Sequence, residues 1–255
     1  KYPSDITSNS NLDINTFINQ PNNILGIEYI KALMRFNSKI NPVPLKRLGA
    51  GYHSLDTGTK LASATGIRTA MANKDNISGL LPDNCLNIIK NHTTIEYNDF
   101  STVLGSKLLS MDTLDHIEGI NQDLSNRIAN NKYNFTDIET FIPMLQSKNY
   151  TYSAISRALL HIILDIKTDD IKEFVNNNYA MILGFTKKSG VLSEISKSTK
   201  IPLVSKFATF YKEADNNQRK MLDINLKADN LYRMIYMNKT SEILPTEFQR
   251  QIIIK

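Results

Sequence analysis

The chain contains no tryptophan and a single cysteine, Cys85. One cysteine excludes an internal disulfide framework and suits a reducing compartment. Four histidines without clustering leave no zinc signature. No apolar run approaches the length of a membrane span, and no signal-peptide pattern opens the sequence. No repeat period or low-complexity tract is visible. Nor do the residues form an identifiable Ser/His/Asp order for nucleophilic catalysis. What remains is 255 residues, 41% hydrophobic, enough for one large domain or two smaller ones.

Charge is unevenly placed. Residues 1–145 carry 13 basic and 14 acidic side chains, a net of −1, whereas residues 146–255 carry 17 and 11, a net of +6. All the excess positive charge therefore sits in the C-terminal part. This fits a polyanionic partner, and it fits equally a solvated lysine-rich surface.

The stretch Ser63-Ala64-Thr65-Gly66-Ile67-Arg68 carries the clearest chemistry. A helix is expected from Thr65 to Ala72, with Ser63 and Thr65 as N-cap residues. The first N–H groups of a helix lack intrahelical partners and attract anions. Arg68, read as part of the first turn, would help to hold a phosphate there. A plain capped helix with an exposed arginine has even standing.

Upstream, Ile24, Ile27, Ile30 and Met34 set a helical face over Ile24–Phe36, broad enough to pack on a sheet, with Asn22 or Asn23 as N-cap. Pro42 and Pro44 introduce an edge strand over Val43–Leu48, ending at Arg47 and Leu48. Gly49 and Gly51 are a weak phosphate signal. Beyond Pro82 the pattern is helical almost throughout. Helices are expected at Asp83–Asn91, Asn98–Met111, Thr113–Gly119, Gln122–Asn130, Thr136–Ser147, Tyr152–Ile166, Asp169–Asn177 and Lys187–Ser198. One or two more fit Ala214–Met237. Short extended pieces fit Tyr179–Phe185 and Ile201–Val204, and the apolar tail Gln249–Lys255 packs on its neighbours.

Several segments together carry a resemblance. They are Pro21-Asn22-Asn23-Ile24-Leu25-Gly26, Arg47-Leu48, Ser63–Arg68, Glu118-Gly119 with Asn126-Arg127-Ile128, Lys148-Asn149-Tyr150-Thr151 with Arg157, Leu183-Gly184-Phe185-Thr186-Lys187-Lys188 and Pro202–Lys206. In this combination the chain resembles the bacterial tRNA(Met) cytidine acetate ligase family of the nucleotidyltransferase superfamily. The resemblance implies a Rossmann-like α/β domain followed by a helical region. It implies a ligase that makes acetyl-adenylate from ATP and acetate, then acetylates N4 of the wobble cytidine of tRNA(Met) in the cytoplasm. Asn22, Arg47, Leu48, Ser63, Thr65 and Arg68 fall at its ATP-binding positions, with Mg2+ expected to accompany ATP. Lys148, Arg157, Lys187, Lys188 and Lys206 lie in family-like segments of the positive region and are the candidate tRNA contacts.

One departure is large. The family's H-x-G-H signature is absent, because no two of His53, His92, His116 and His161 have that spacing. The chain also opens on Lys1 rather than Met, and looks like the family without its first third. The expectation is a mostly α protein with an α/β part: residues 1–81 as the remainder of the nucleotidyltransferase domain, 82–255 as a helical tRNA-binding region. On its own it is expected to be catalytically inert. Two alternatives stay open: a nucleotidyltransferase acting on a small phosphorylated substrate, and a non-catalytic RNA-binding module. Around Tyr150, Tyr152, Ser156, Arg157 and His161, an RNA contact competes with a simple core stripe edged by Arg157 and His161.

Overall fold

The computed structural model describes Ile18 and residues 20–45, 62–174, 178–187 and 190–255, and structural statements refer to these. The chain divides into two compact units, Lys1–His92 and Thr93–Lys255. The division falls after His92 rather than at residue 81, so the helix Asp83–Asn91 goes with the first unit.

In the first unit, α1 spans Pro21–Arg35. Its N-cap is Gln20, not Asn22 or Asn23. Pro21 takes the first helical position, where its fixed φ is favourable and its missing N–H costs nothing. The Gln20 carbonyl accepts from Asn23 and Ile24 N–H. No residue of α1 is buried. Its Tyr29, Leu33 and Phe36 side, with Ile40 and Val43 of the following segment, lines an apolar cavity of about 650 Å³. No strand forms among the described residues of this unit, and the second half of the expected Val43–Leu48 strand lies outside them. Helices α2, Ala64–Ala72, and α3, Asp83–Asn91, follow.

The second unit holds the main core. Its helices are α4 (Ser101–Ser110), α5 (Gln122–Asn131), α6 (Ile138–Leu145), α7 (Tyr152–Leu164), α8 (Thr168–Phe174), α9 (Val191–Ser198), α10 (Phe207–Glu213) and α11 (Asn216–Thr240). Helix α7 packs against α4, α6 and α11. It buries Ile155, Ser156, Ala158, Leu159, Ile162 and Ile163, a face more than one helical stripe wide. Phe141, Ile142 and Leu145 of α6, Leu104 and Leu108 of α4, and Leu124 and Ile128 of α5 complete the same cluster.

Segment Thr113–Gly119 is not a helix. Leu114, Ile117 and Ile120 are buried as their spacing demands, but the backbone pairs elsewhere. Ile117 bridges Lys167 in antiparallel fashion, and Glu118 N–H donates to the Ile166 carbonyl at 2.9 Å. Gly119, at φ +80°, turns the chain where a side chain would be strained. Tertiary pairing has overridden a local pattern that fits either conformation.

Tyr179–Phe185 is two strands rather than one. Strand β1 (Ala180–Met181) pairs in parallel with β3 (Leu203–Val204), and β2 (Gly184–Phe185) pairs in parallel with β4 (Ile253–Ile254). The chain changes partner between them. Gly184 is required by this pairing, since a Cβ there would lie 2.7 Å from the Ile253 carbonyl oxygen. The expected helix at Lys187 starts only at Val191.

An ion pair ties the far end of α11 to the entry of α4. Lys239 Nζ lies 2.7 Å from Asp99 Oδ2, and Asp99 also accepts from Glu96 N–H at 2.7 Å in a capping box. Partial burial pushes the Asp99 carboxyl up, but the Glu96 hydrogen bond and Lys239 together outweigh it and hold it below its ordinary 3.8. A carboxyl lowered in the folded state stabilises above its unfolded pKa, and that stability is lost as pH falls through the folded value. Asp99→Asn should therefore cost about 1 kcal/mol at pH 7, from weakening the capping-box bond and losing the partly exposed ion pair. The deficit relative to wild type should shrink in denaturant melts taken near pH 3. A deficit independent of pH would count against the ion pair.

Candidate nucleotide and RNA sites

In the first unit, the candidate anion site is the start of α2. Ser63, in extended backbone, is the N-cap, and its Oγ accepts from Gly66 N–H at 2.9 Å. Ser63 is 1% exposed, so the cap is fixed. Thr65 is the second residue of the helix rather than its cap. Ala64 and Thr65 are left with the outward N–H groups that no intrahelical carbonyl satisfies. The first turn contains no acidic residue, so nothing within it repels an anion. Arg68 is exposed and stands fifth in the helix, one residue later than expected because the helix starts at Ala64. Helical side chains lean toward the N-terminus, which lets a cation one turn in reach back over the first turn. Asn22 is exposed in the first turn of α1. Arg47 and Leu48 lie outside the described residues.

In the second unit, two of the singled-out segments meet. Asn121 caps α5, its Oδ1 accepting from Leu124 N–H at 3.0 Å. The same oxygen accepts from the Tyr150 hydroxyl at 2.6 Å. Thr151 caps α7 through Ala154 N–H. Behind them, His161 Nδ1 lies 2.7 Å from the Glu118 carbonyl oxygen, so Nδ1 carries the proton and donates. The Glu118-Gly119 turn, the α5 start and the Lys148–Thr151 turn are thus locked onto α7. Sequence reasoning marked Tyr150 and His161 but missed Asn121, whose signal was an Asn just before an apolar-periodic segment. Partial burial, with the nearby Glu139 carboxylate and Tyr97, pushes the Tyr152 phenol up.

The basic candidates differ in setting. Lys148 stands exposed in the Ser147–Tyr150 turn, and Arg157 projects exposed from α7 beside the buried Ser156. Ile155, Leu159 and Ile162 form the core stripe, Tyr152 is exposed rather than part of it, and Arg157 stands exposed at its rim with His161 half-buried. Lys187 is exposed in a turn after β2, not at a helix start, because Gly190 is the N-cap of α9. Its N–H donates to the Lys255 carbonyl at 2.9 Å. Lys206 is exposed after β3 and precedes α10. Lys188 lies outside the described residues. Among the described residues no group of His, Cys, Asp and Glu could hold a metal ion, and no helix is long and apolar enough to cross a membrane.

A mainly helical chain with short parallel strands and a serine-capped helix start fits the nucleotidyltransferase type. The chain belongs to the HIGH nucleotidyl transferase family, whose model matches residues 1–246. Among its relatives, the tRNA(Met) cytidine acetate ligase of Thermoanaerobacter sp. (strain X514) is 31% identical over 239 residues, 91% of this chain and 59% of the relative. That of Caldanaerobacter subterraneus subsp. tengcongensis is 35% identical over 225 residues, 85% of this chain and 56% of the relative. The crystal structure of Thermotoga maritima TmcAL (apo, form I) superposes with a TM-score of 0.80 at 23% identity, covering 93% of this chain and 61% of that one. Its form bound with alpha-thio ATP gives 0.79. These similarities establish the fold; the chain spans about three fifths of the length of the relatives it matches.

Ser63→Ala removes the α2 cap and should cost about 1 kcal/mol of unfolding free energy. Thr65→Ala, which removes no cap, should cost less. Denaturant melts of the two variants compare them, and equal losses would show that the cap is not what fixes this helix start.

Proposed function

We propose that this chain carries the ATP-holding helix start and the tRNA-docking region of a tRNA(Met) cytidine acetate ligase. The observation that carries the reading is 31% identity, over 91% of this chain, to a relative of that name. In the proposed reaction, an acetate oxygen attacks the α-phosphorus of ATP and pyrophosphate leaves. The N4 amine of the wobble cytidine then attacks the acetyl carbon, releasing AMP and a proton. The reaction belongs where tRNA is processed, in the cytoplasm.

The physical roles follow from the site. The α2 start supplies N–H groups, dipole and the Arg68 cation to the phosphates, and Asn22 offers an amide for hydrogen bonding. Mg2+ is expected to travel with ATP. The exposed Lys148, Arg157, Lys187 and Lys206, with Lys188, supply phosphate contacts that position the tRNA without reading its sequence. Residues 1–92 fit the nucleotide part and 93–255 the RNA part. The sequence contains no H-x-G-H, so the groups expected to stabilise the phosphoryl transition state are not among these 255 residues. That observation also favours a second reading of the isolated chain, as an RNA-binding module.

Titrating elongator tRNA(Met) into the chain at several salt concentrations tests the RNA part. The logarithm of the binding constant should fall linearly with log salt, through counterion release. Lys148→Ala with Arg157→Ala should flatten the slope by up to about two units, one for each lost contact. Salt-insensitive or absent tRNA binding would overturn the reading.

The nucleotide part is tested separately. ATP binding by the chain should weaken in Arg68→Ala, roughly tenfold for a lost charge-assisted contact, with tRNA affinity unchanged. The chain alone should not exchange labelled pyrophosphate into ATP when acetate is present. Robust exchange would show that the catalytic groups lie within these residues after all.

A further inference from the structure

Positive charge positions a nucleic acid but does not choose one. Selection among tRNAs requires groups that reach bases, and unpaired bases are reached by stacking and by amide hydrogen bonds. One surface of the second unit has that chemistry and is used by none of the contacts described above.

Helix α5 runs directly into a 3-10 turn, Lys132–Asn134. Along its solvent side, Gln122, Asn126, Asn130 and Tyr133 are all exposed. Their spacing of four, four and three residues places them in one row, about 16 Å long at 1.5 Å per residue. Three members are amides or bear amide donors and acceptors, and Gln122 Nε2 already donates to Asn126 Oδ1 at 3.0 Å. The row ends in Tyr133, which is 80% exposed. No other aromatic of this unit exceeds 47% among the described residues.

Tyr133 is also held in place. Two residues later Phe135 packs edge-on against the fully buried Phe141, with ring centroids 5.1 Å apart at 84°. Phe135 lies over Gly105, where an added Cβ would come within 3.1 Å of the ring. The Lys132 ammonium sits 5.5 Å from the Tyr133 ring centroid. A cation near the ring and an open remainder suit stacking of a base whose phosphate the lysine can meet. Beside the row, Arg127 is neutralised by Asp123, Nε to Oδ2 being 3.2 Å. The flank therefore carries little net charge, which suits base edges better than bare phosphates.

We infer that the row Gln122–Asn126–Asn130–Tyr133 receives unpaired bases of the bound RNA, with Tyr133 as stacking platform and the amides reading base edges. This rests on the RNA-binding reading above and adds the surface that discriminates. The row itself is uncharged, so its own contribution is independent of salt.

The test compares tRNA(Met) with a fully paired RNA duplex of similar length, using the full chain. Tyr133→Ala should lower tRNA affinity about tenfold, leave duplex affinity unchanged and leave the salt slope for tRNA unchanged. Tyr133→Phe should bind like wild type, because the ring and not the hydroxyl stacks. Asn126→Ala should lower tRNA affinity further in the Tyr133→Ala background. Melting temperature should not move in any variant, since the side chains are exposed. Unchanged tRNA affinity in Tyr133→Ala, with salt-dependent tRNA binding intact, would overturn the row alone. Equal losses for tRNA and duplex would also overturn it, since a base-reading surface has nothing to read in a duplex. A row that serves a protein partner would leave both RNA affinities unchanged. A wild-type chain that binds no tRNA would overturn this inference together with the function it rests on.

Discussion

Burial of the broad apolar face of α7 is the interaction on which the second unit depends. Ile155, Leu159 and Ile162 have 0–1% of their surface exposed, and each such side chain contributes about 1.5–3 kcal/mol. Because that face is wide, α7 can hold α4, α6 and α11 at once. Its exposed remainder is then the only part free to meet a ligand, and Arg157 stands there. The polar contacts at its ends act in a different way. The Tyr150–Asn121 bond and the His161–Glu118 bond add modest stability but fix the direction in which α5 leaves the core. That direction decides where the Asn126 and Tyr133 side chains are presented.

Helices whose apolar residues recur at helical spacing were legible in the sequence. Asp83–Asn91 has the bounds expected from its pattern, and Gln122–Asn131 and Tyr152–Leu164 depart by only one or two residues. The Ser63 cap was legible too, because a serine before a helix has one dominant way to satisfy a backbone N–H. What was not legible depends on partners distant in sequence. Leu114 and Ile117 fit a helix as well as a turn, and only pairing with residues 166–168 selects the turn. Two-residue strands carry too little pattern to be seen, so β1 and β2 looked like one strand. Asn22 looked like a cap until Pro21, by occupying the first helical position, moved the cap to Gln20. The basic residues were legible as charge, but their settings were not: Lys187 stands in a turn because its helix starts three residues after the charged pair. The sequence also concealed the α5 row, since amides and one tyrosine give no hydrophobic or charge signal.

The pairing of β2 with β4 has a further consequence. Residues 184 and 253 are 69 positions apart, whereas β1 and β3 close a span of only 23. A threefold longer loop costs about 1 kcal/mol more in closure entropy, and the strands it joins offer two residues each. From loop length alone, such a contact is expected to form after the local helix pairs have reduced the effective length of the chain. It is also the contact that sets the backbone of Lys187 through the Lys255 carbonyl. The position of a cation near the middle of the second unit is therefore governed by the three residues from Ile253 to Lys255, and fraying there propagates to a residue nearly seventy positions away.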